Sequence, residues 1–138
     1  MTTLVDESTR VRVSSVLNRD TKQFGKKYLF DGEEDTCWNS DQGSPQWIHV
    51  NLETECDVSE IQIKFQGGFA GKDCCLESHN DEQIKKVMDF YPEDVNSLQS
   101  FKLPESLKLS SFRIVFNSST DFFGRITIYQ LSILGEKS

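Results

Sequence analysis

The chain has 138 residues, of which 36% are hydrophobic and 11% aromatic, and its formal net charge at pH 7 is -7. This length suits a single domain and the 10 Phe supply a core, so the composition excludes a chain that is disordered throughout. The negative charge argues against nucleic acid as a direct partner, because phosphate binding needs Lys and Arg clustered on one face.

The sequence predicts an intracellular protein with reduced cysteines. It has no long apolar run that could span a membrane, and its start, MTTLVDESTR, lacks the layout of a signal peptide. Cys74 and Cys75 are adjacent, which does not suit an ordinary disulfide scaffold, and no C-x-x-C spacing favours zinc. We expect Cys37 and Cys56 to be buried, and Cys74 and Cys75 to lie in a loop.

The first quarter of the chain predicts one strand followed by a long connection. Polar and apolar side chains alternate over Arg10–Val16, which indicates a strand with one face on a core. Residues 18–27 are polar apart from Phe24 and predict a connection that presents one aromatic ring. Phe30–Gly32 opens a tight turn, because Asp bonds to its own backbone and Gly accepts positive φ.

The middle of the chain carries the clearest strand patterns. Strict alternation over Gln46–Leu52 and again over Val58–Phe65 predicts two strands, each with one buried face. Three glycines then break the pattern, and the polar stretch over residues 66–86 predicts a long excursion that could hold a short helix. Three further apolar segments predict strands at Val87–Tyr91, Phe112–Phe116 and Ile126–Leu134.

This order of elements predicts an all-β fold. Short strands with turn-rich connections and little helical periodicity indicate an antiparallel sandwich or barrel. We expect one domain over residues 1–138, with loose ends at residues 1–9 and 136–138.

Three segments resemble the discoidin (galactose-binding-like) domain family. Leu29–Trp38 contains the D-G-x-x-x-T-x-W turn of that family, Gln46–Leu52 matches its W-I-x-V-x-L strand, and Ile126–Gly135 is similar to its last strand. The resemblance implies an antiparallel, eight-stranded jelly-roll β-sandwich. Secreted members are typically closed by a disulfide between their ends, which this sequence lacks, and this difference favours a reducing compartment.

A closer resemblance is to small nuclear-receptor-associated members of this fold family. It implies a non-enzymatic interaction module of the nucleus, and of the cytoplasm as an alternative, that binds a testicular orphan nuclear receptor and represses transactivation by suppressing its DNA binding. An intracellular lectin-like module that binds a glycan is the alternative, because the fold alone does not decide the ligand. The segments that carry the resemblance are Ser14–Asn18, Gln23–Lys27, Trp38–Gly43, Phe65–Phe69, Asp89–Asp94 and Asp121–Arg125.

Aromatic residues in the predicted loops are the candidate partner-binding site. In a jelly roll these loops can cluster at one end, where exposed rings with a polar rim make an interface. The equally weighted alternative is that the rings close the end of the core. Asp121 and Arg125 are four residues apart, and we favour a pair that braces the loop over ligand contact. The candidate residues are Phe24, Lys26, Phe69, Asp121, Phe122, Phe123 and Arg125.

The sequence also contains residues that bear on a metal site and on a catalytic site. The family resemblance implies a structural calcium in the turn containing Asp31 and Thr36, but Gln130 stands where an acid would complete the oxygen shell, so an Asx turn without metal is the favoured interpretation. His49 and His79 lie in no recognisable nucleophile or metal motif, and we therefore predict no enzyme activity.

Overall fold

A computed structural model describes residues 2–79 and 83–137 as an antiparallel β-sandwich, which confirms the predicted fold class. Between Val13 and Trp38 lie a 3-10 turn at Leu17–Arg19, the helix α1 at Thr21–Phe24 and a second 3-10 turn at Lys26–Leu29. No helix among these residues is long and apolar enough to cross a membrane. The eight strands of the described residues are β1 (Thr2–Thr3), β2 (Arg10–Val13), β3 (Trp38–Asn39), β4 (Gln46–Phe65), β5 (Cys74–Ser78), β6 (Lys85–Phe90), β7 (Leu98–Phe116) and β8 (Thr127–Lys137).

The long strands β4 and β7 pass from one layer of the sandwich to the other. Residues 48–51 of β4 pair with β2, and residues 46–51 pair with β7 on the other side, whereas residues 56–65 pair with β7 and β8. The register of β4 shifts between Asn51 and Cys56, where the strand changes layer. One layer is therefore β2-β4-β7-β5-β6, and the other contains β7, β4 and β8, with β1 and β3 on the far edge of β8.

The alternating residues of both layers meet in one core. Phe116 packs against Trp38 and Phe65, with ring centroids 6.4 and 5.9 Å apart, and all three side chains are buried. The Trp38 indole nitrogen donates to the Ser15 carbonyl oxygen at 2.9 Å, so its polar group is satisfied. Burial of each such large side chain contributes roughly 1.5–3 kcal/mol to stability. The core thereby holds the loops at the ends of the sandwich on a rigid base.

The excursion predicted for residues 66–86 is wrong in its described part, because Cys74–Ser78 forms the interior strand β5; residues 80–82 lie outside the described residues. It pairs with β6 and β7, and Cys74, Cys75 and Leu76 are all buried. An interior strand covered on both faces loses the polar and apolar alternation that marks a half-exposed strand. The predicted loop position of Cys74 and Cys75 is therefore wrong, while Cys56 is buried as expected and Cys37 is partly exposed.

The predicted loose ends are wrong at residues 2–5, 136 and 137, while residues 1 and 138 lie outside the described residues. Thr2–Thr3 pair with Gly135 and Leu134 of β8, and Leu4 and Val5 are buried in the core. The Leu4 amide donates to the Ile133 carbonyl oxygen at 2.7 Å. β8 continues through residues 136 and 137, which pair with β4. Thr2–Thr3 and residues 134–137 are thus sheet, and the buried side chains of Leu4 and Val5 complete the core next to them.

Candidate partner-binding loops

Loops from four connections meet at one end of the sandwich. The Gly43 amide donates to the Phe123 carbonyl oxygen at 2.8 Å, and the Thr120 amide donates to the Ala70 carbonyl oxygen at 2.9 Å. These backbone hydrogen bonds link the β3–β4 and β4–β5 connections to the β7–β8 connection. The loops concerned are residues 40–45, 66–73, 91–97 and 117–126.

Side chains of the β6–β7 connection fasten the glycine turn after β4. Asn96 Oδ1 accepts from the Gly67 amide at 2.7 Å, and Asp94 Oδ1 accepts from the Gly68 amide at 2.7 Å. The same Asp94 oxygen accepts from the Thr120 hydroxyl at 3.1 Å. The fourth loop is therefore linked to two of the others through one carboxylate.

Gly124 is required where the β7–β8 loop touches the β3–β4 loop. Its φ is +84°, and a Cβ at this position would lie 2.7 Å from the Gly43 carbonyl oxygen. A side chain would therefore be strained and would force the two loops apart. The sequence Phe122-Phe123-Gly124 places two aromatic rings immediately before this close contact.

Asp121 and Arg125 form the ion pair whose spacing suggested a brace. Arg125 Nε donates to Asp121 Oδ2 at 2.9 Å, and Nη2 donates to Oδ1 at 3.2 Å. The Arg125 backbone amide also donates to Oδ2, at 3.1 Å. The hydrogen bond from the Arg125 side chain lowers the pKa of Asp121, and the same contact raises the pKa of Arg125. Asp121 therefore binds both the side chain and the backbone of Arg125, which fixes the conformation of the loop between them.

Three of the four candidate phenylalanines lie around Arg125. Its guanidinium carbon is 5.1 Å from the Phe69 ring centroid and 5.7 Å from that of Phe123, within cation–π range. Phe122 packs edge-on against Phe123, with centroids 5.2 Å apart. Phe122 is 94% exposed and Phe123 is 53% exposed. We call Phe69, Asp121, Phe122, Phe123 and Arg125 the aromatic loop surface.

Phe24 and Lys26 belong to another part of the molecule. Phe24 ends α1 and is partly buried, and Lys26 begins the following 3-10 turn. Lys26 lines a separate cavity with Arg12 and Trp47, and the aromatic loop surface contributes none of the residues that line it. The loops that the sequence grouped together thus form two surfaces.

The turn at Asp31 is arranged as an Asx turn. Asp31 Oδ1 accepts from the Glu33 amide at 3.0 Å, and Oδ2 accepts from the Thr36 hydroxyl at 2.6 Å. Both carboxylate oxygens are therefore engaged, while the Gln130 amide contacts the Ser132 hydroxyl at 3.4 Å. Residues 2–79 and 83–137 contain no cluster of three or more His, Cys, Asp or Glu that could hold a metal ion. With Gln130 in place of an acid, Asp31 is the one anionic side chain of the donor set that the resemblance implied, which disfavours tight binding of calcium.

A polar network around His49 was not visible in the sequence. His49 Nε2 lies 3.0 Å from the Ser111 hydroxyl, and Nδ1 accepts from Arg113 Nε at 3.4 Å. A serine activated by a histidine base needs an acid to orient that base. Here a guanidinium occupies the place of the acid, and burial followed by the charge of Arg113 lowers the pKa of His49 to about 4. Such a weak base cannot activate Ser111 at neutral pH.

Comparison with known proteins identifies the family of this chain. The model of the F5/8 type C domain matches residues 10–129. The chain belongs to the F5/8 type C domain family. Within that family its relatives include the nuclear receptor 2C2-associated proteins of Danio rerio, Xenopus laevis and Homo sapiens, which are 57%, 54% and 53% identical to it. The matches cover 97%, 98% and 97% of this chain and 96%, 99% and 96% of the relatives.

Solved F5/8 type C structures share the fold at low sequence identity. The F5/8 type C domain of a Bacteroides fragilis protein superposes with a TM-score of 0.82 at 14% identity, over 97% of this chain and 96% of that one. The family 32 CBM of Clostridium perfringens NanJ, solved in complex with galactose, gives 0.80 at 18% identity, over 95% and 97% of the two chains. These similarities confirm the sandwich. At this level of identity they carry the fold alone.

Proposed function

We propose that this F5/8 type C domain is a non-enzymatic protein-interaction module that binds an orphan nuclear receptor. Binding would repress transactivation by suppressing the receptor's contact with DNA, and the protein would act in the nucleus. The observation that carries this proposal is the identity of 49–57% to relatives named nuclear receptor 2C2-associated protein, over nearly the whole of both chains.

The aromatic loop surface is the part of the sandwich that best suits a protein partner. Phe122 and Phe123 supply apolar area that is exposed in the free chain, and the Asp121–Arg125 pair supplies a polar rim. Interfaces gain most of their affinity from a few aromatic anchors that become buried, with polar groups around them. The four linked loops hold these anchors in place, which reduces the entropy that is lost on binding.

Capture of purified nuclear receptor 2C2 tests the proposal. We expect the wild-type chain to retain the receptor and to weaken its binding to a DNA response element. A Phe122→Ala, Phe123→Ala variant should lose capture at unchanged melting temperature. The matched control is Ile84→Ala, Leu107→Ala, which removes two exposed apolar side chains elsewhere and should bind as wild type. Absence of capture by the wild-type chain would refute the proposed partner, and retained capture by the Phe variant would move the site away from these loops.

Carbohydrate binding is the second candidate function. It is favoured by structural neighbours that were solved with sugars, including the family 32 CBM with galactose and a chitosan-binding module with chitotriose. An exposed ring such as Phe122 could stack on a sugar. Titration with galactose and chitotriose, followed by calorimetry, distinguishes the two functions. Sugar binding that depends on Phe122 would favour the lectin-like function. Absence of a binding heat with both sugars would contradict that function.

A further inference from the structure

A basic cleft lies between the outer face of the β2-β4 layer and the helical segment that follows β2. The cavity has a volume of about 630 Å³. Its charged lining residues are Arg12, Lys22, Lys26 and Lys27, and none of its lining residues is acidic. In a chain with a net charge of -7, four cations around one cavity are a strong local departure from the overall balance.

The backbone that presents these lysines is held in place. The Tyr28 hydroxyl donates to the Lys22 carbonyl oxygen, and the Asp20 carboxylate caps α1 by accepting from the Gln23 amide at 3.2 Å. Gly25 lies so close to the chain that a Cβ there would sit 2.5 Å from the Thr21 carbonyl oxygen. The lysines therefore project from a fixed turn, which favours a preformed site.

A fifth cation borders the cleft on the neighbouring strand. The guanidinium carbon of Arg113 lies 3.9 Å from the Trp47 ring centroid, and its Nε donates to His49. Cross-strand pairing places Arg12 and Arg113 on either side of His49, on the same face of the layer. Within the described residues, neither guanidinium has a carboxylate within salt-bridge distance. Burial, followed by the proximity of Arg12, lowers the pKa of Arg113, while the Glu77 carboxylate on the paired strand β5 acts in the opposite direction.

The floor of the cleft is apolar. Val13, Val16 and the partly buried Trp47 line it beneath the cations. A ligand that fits this arrangement needs negative charges to reach the rim and an apolar group to reach the floor. Acidic protein segments that contain a hydrophobic side chain have this chemistry, whereas a bare phosphate or carboxylate would leave the floor unused.

We infer that the basic cleft binds an acidic peptide segment of a partner protein, with a hydrophobic side chain of that segment placed against Trp47. A long polyanion is disfavoured, because it would extend beyond the cleft in a chain that has 22 acidic and only 15 basic residues in all, four of which already line the cleft. A short segment meets only the local charge. This site is distinct from the aromatic loop surface, and its test does not depend on the identity of the receptor.

Fluorescence anisotropy with a defined probe tests this site. The probe is a fluorescein-labelled peptide of Asp and Glu residues around two leucines, and its counterpart carries Asn and Gln instead. We expect the acidic peptide alone to bind, with affinity that falls as salt is raised. Binding should also change the fluorescence of Trp47, since the only other tryptophan, Trp38, is fully buried.

Variants that remove equal charge distinguish binding in the cleft from general electrostatic attraction to the protein. The double variant Arg12→Gln, Lys26→Gln should weaken binding by about tenfold or more. If that variant fails to fold, the double variant Lys22→Gln, Lys27→Gln should weaken binding to a similar extent. The control Lys72→Gln, Lys102→Gln removes the same charge from exposed positions outside the cleft and should stay within about twofold of wild type. Failure of the wild-type chain to bind, equal effects of cleft and control variants, or tighter binding of an oligonucleotide of equal charge would overturn the inference.

Discussion

Acidification should destabilise the protein through His49. Its imidazole is buried on β4, and desolvation, followed by the charges of Arg113, Arg12 and His79, lowers its pKa from 6.5 to about 4. In the unfolded chain this environment is lost and the pKa returns to its ordinary value. Between these two values the unfolded chain binds a proton that the folded chain does not. The stability that depends on neutral His49 is therefore present above pH 6.5 and is lost as the pH falls towards 4.

The expected loss follows from the difference between the two pKa values. At about 1.4 kcal/mol per pH unit the full effect approaches roughly 3 kcal/mol, and about 2 kcal/mol of it develops between pH 7 and pH 5. For a domain of this size that corresponds to a decrease of about 6 °C in melting temperature. Carboxylates that lose stabilising contacts in acid also lower the free energy of unfolding over this interval. A suitable comparison variant must therefore keep the same carboxylates.

Urea unfolding at pH 7 and pH 5 measures this effect in wild type and in His49→Gln. Gln does not titrate, so the variant should lose about 2 kcal/mol less than wild type over this interval, whatever its stability at pH 7. His79→Gln is the matched control and should retain most of the loss, because His79 contributes least to the lowered pKa of His49. Equal losses in wild type and His49→Gln would refute the reasoning.

Three further variants or conditions have definite expected outcomes. Gly135→Ala should cost about 1–3 kcal/mol in urea unfolding, because its Cβ would overlap the Asp57 carbonyl oxygen; wild-type stability would contradict this packing. Arg125→Ala should lower stability by about 1–2 kcal/mol through loss of the Asp121 pair, whereas Lys72→Ala in a neighbouring loop should change it by less than about 0.5 kcal/mol. Addition of millimolar calcium after EDTA treatment should shift the melting temperature by less than about 1 °C. A larger rise would support calcium binding at Asp31.

The sequence predicted the strands whose two faces differ. Gln46–Leu52 and Val58–Phe65 alternate because one face of β4 packs on the core, whereas the other carries mainly polar side chains that range from buried to exposed. That the two form one strand with a shifted register was not predictable, since residues 53–55 are exposed and polar like a turn. β5 is too evenly buried to alternate, and residues 98–108 of β7 are too exposed to show an apolar face. Both were missed for these opposite reasons.

The candidate site was predicted in part. The spacing of Asp121 and Arg125 correctly indicated a local pair, because four residues of loop suffice to bring the two side chains together. The grouping of Phe24 and Lys26 with the later loops required knowledge of which connections share one end of the sandwich. The cleft beside Lys26 is likewise built from β2, the segment after it and β4, and only the strand pairing brings these together. The presence of Lys22, Lys26 and Lys27 close together in the sequence does not by itself reveal this cleft.

The aromatic loop surface and the basic cleft share a structural base at the start of β4. The buried Gln46 amide donates to the Gly43 carbonyl oxygen at 2.9 Å, and its carbonyl oxygen accepts from the hydroxyls of Ser14 and Ser15, next to the cleft. A substitution at Gln46 would therefore disturb both surfaces and could not assign a binding defect to either. Phe122 and Lys26 are exposed, and neither takes part in this network. Variants at these two positions separate the surfaces, which is why the experiments use them.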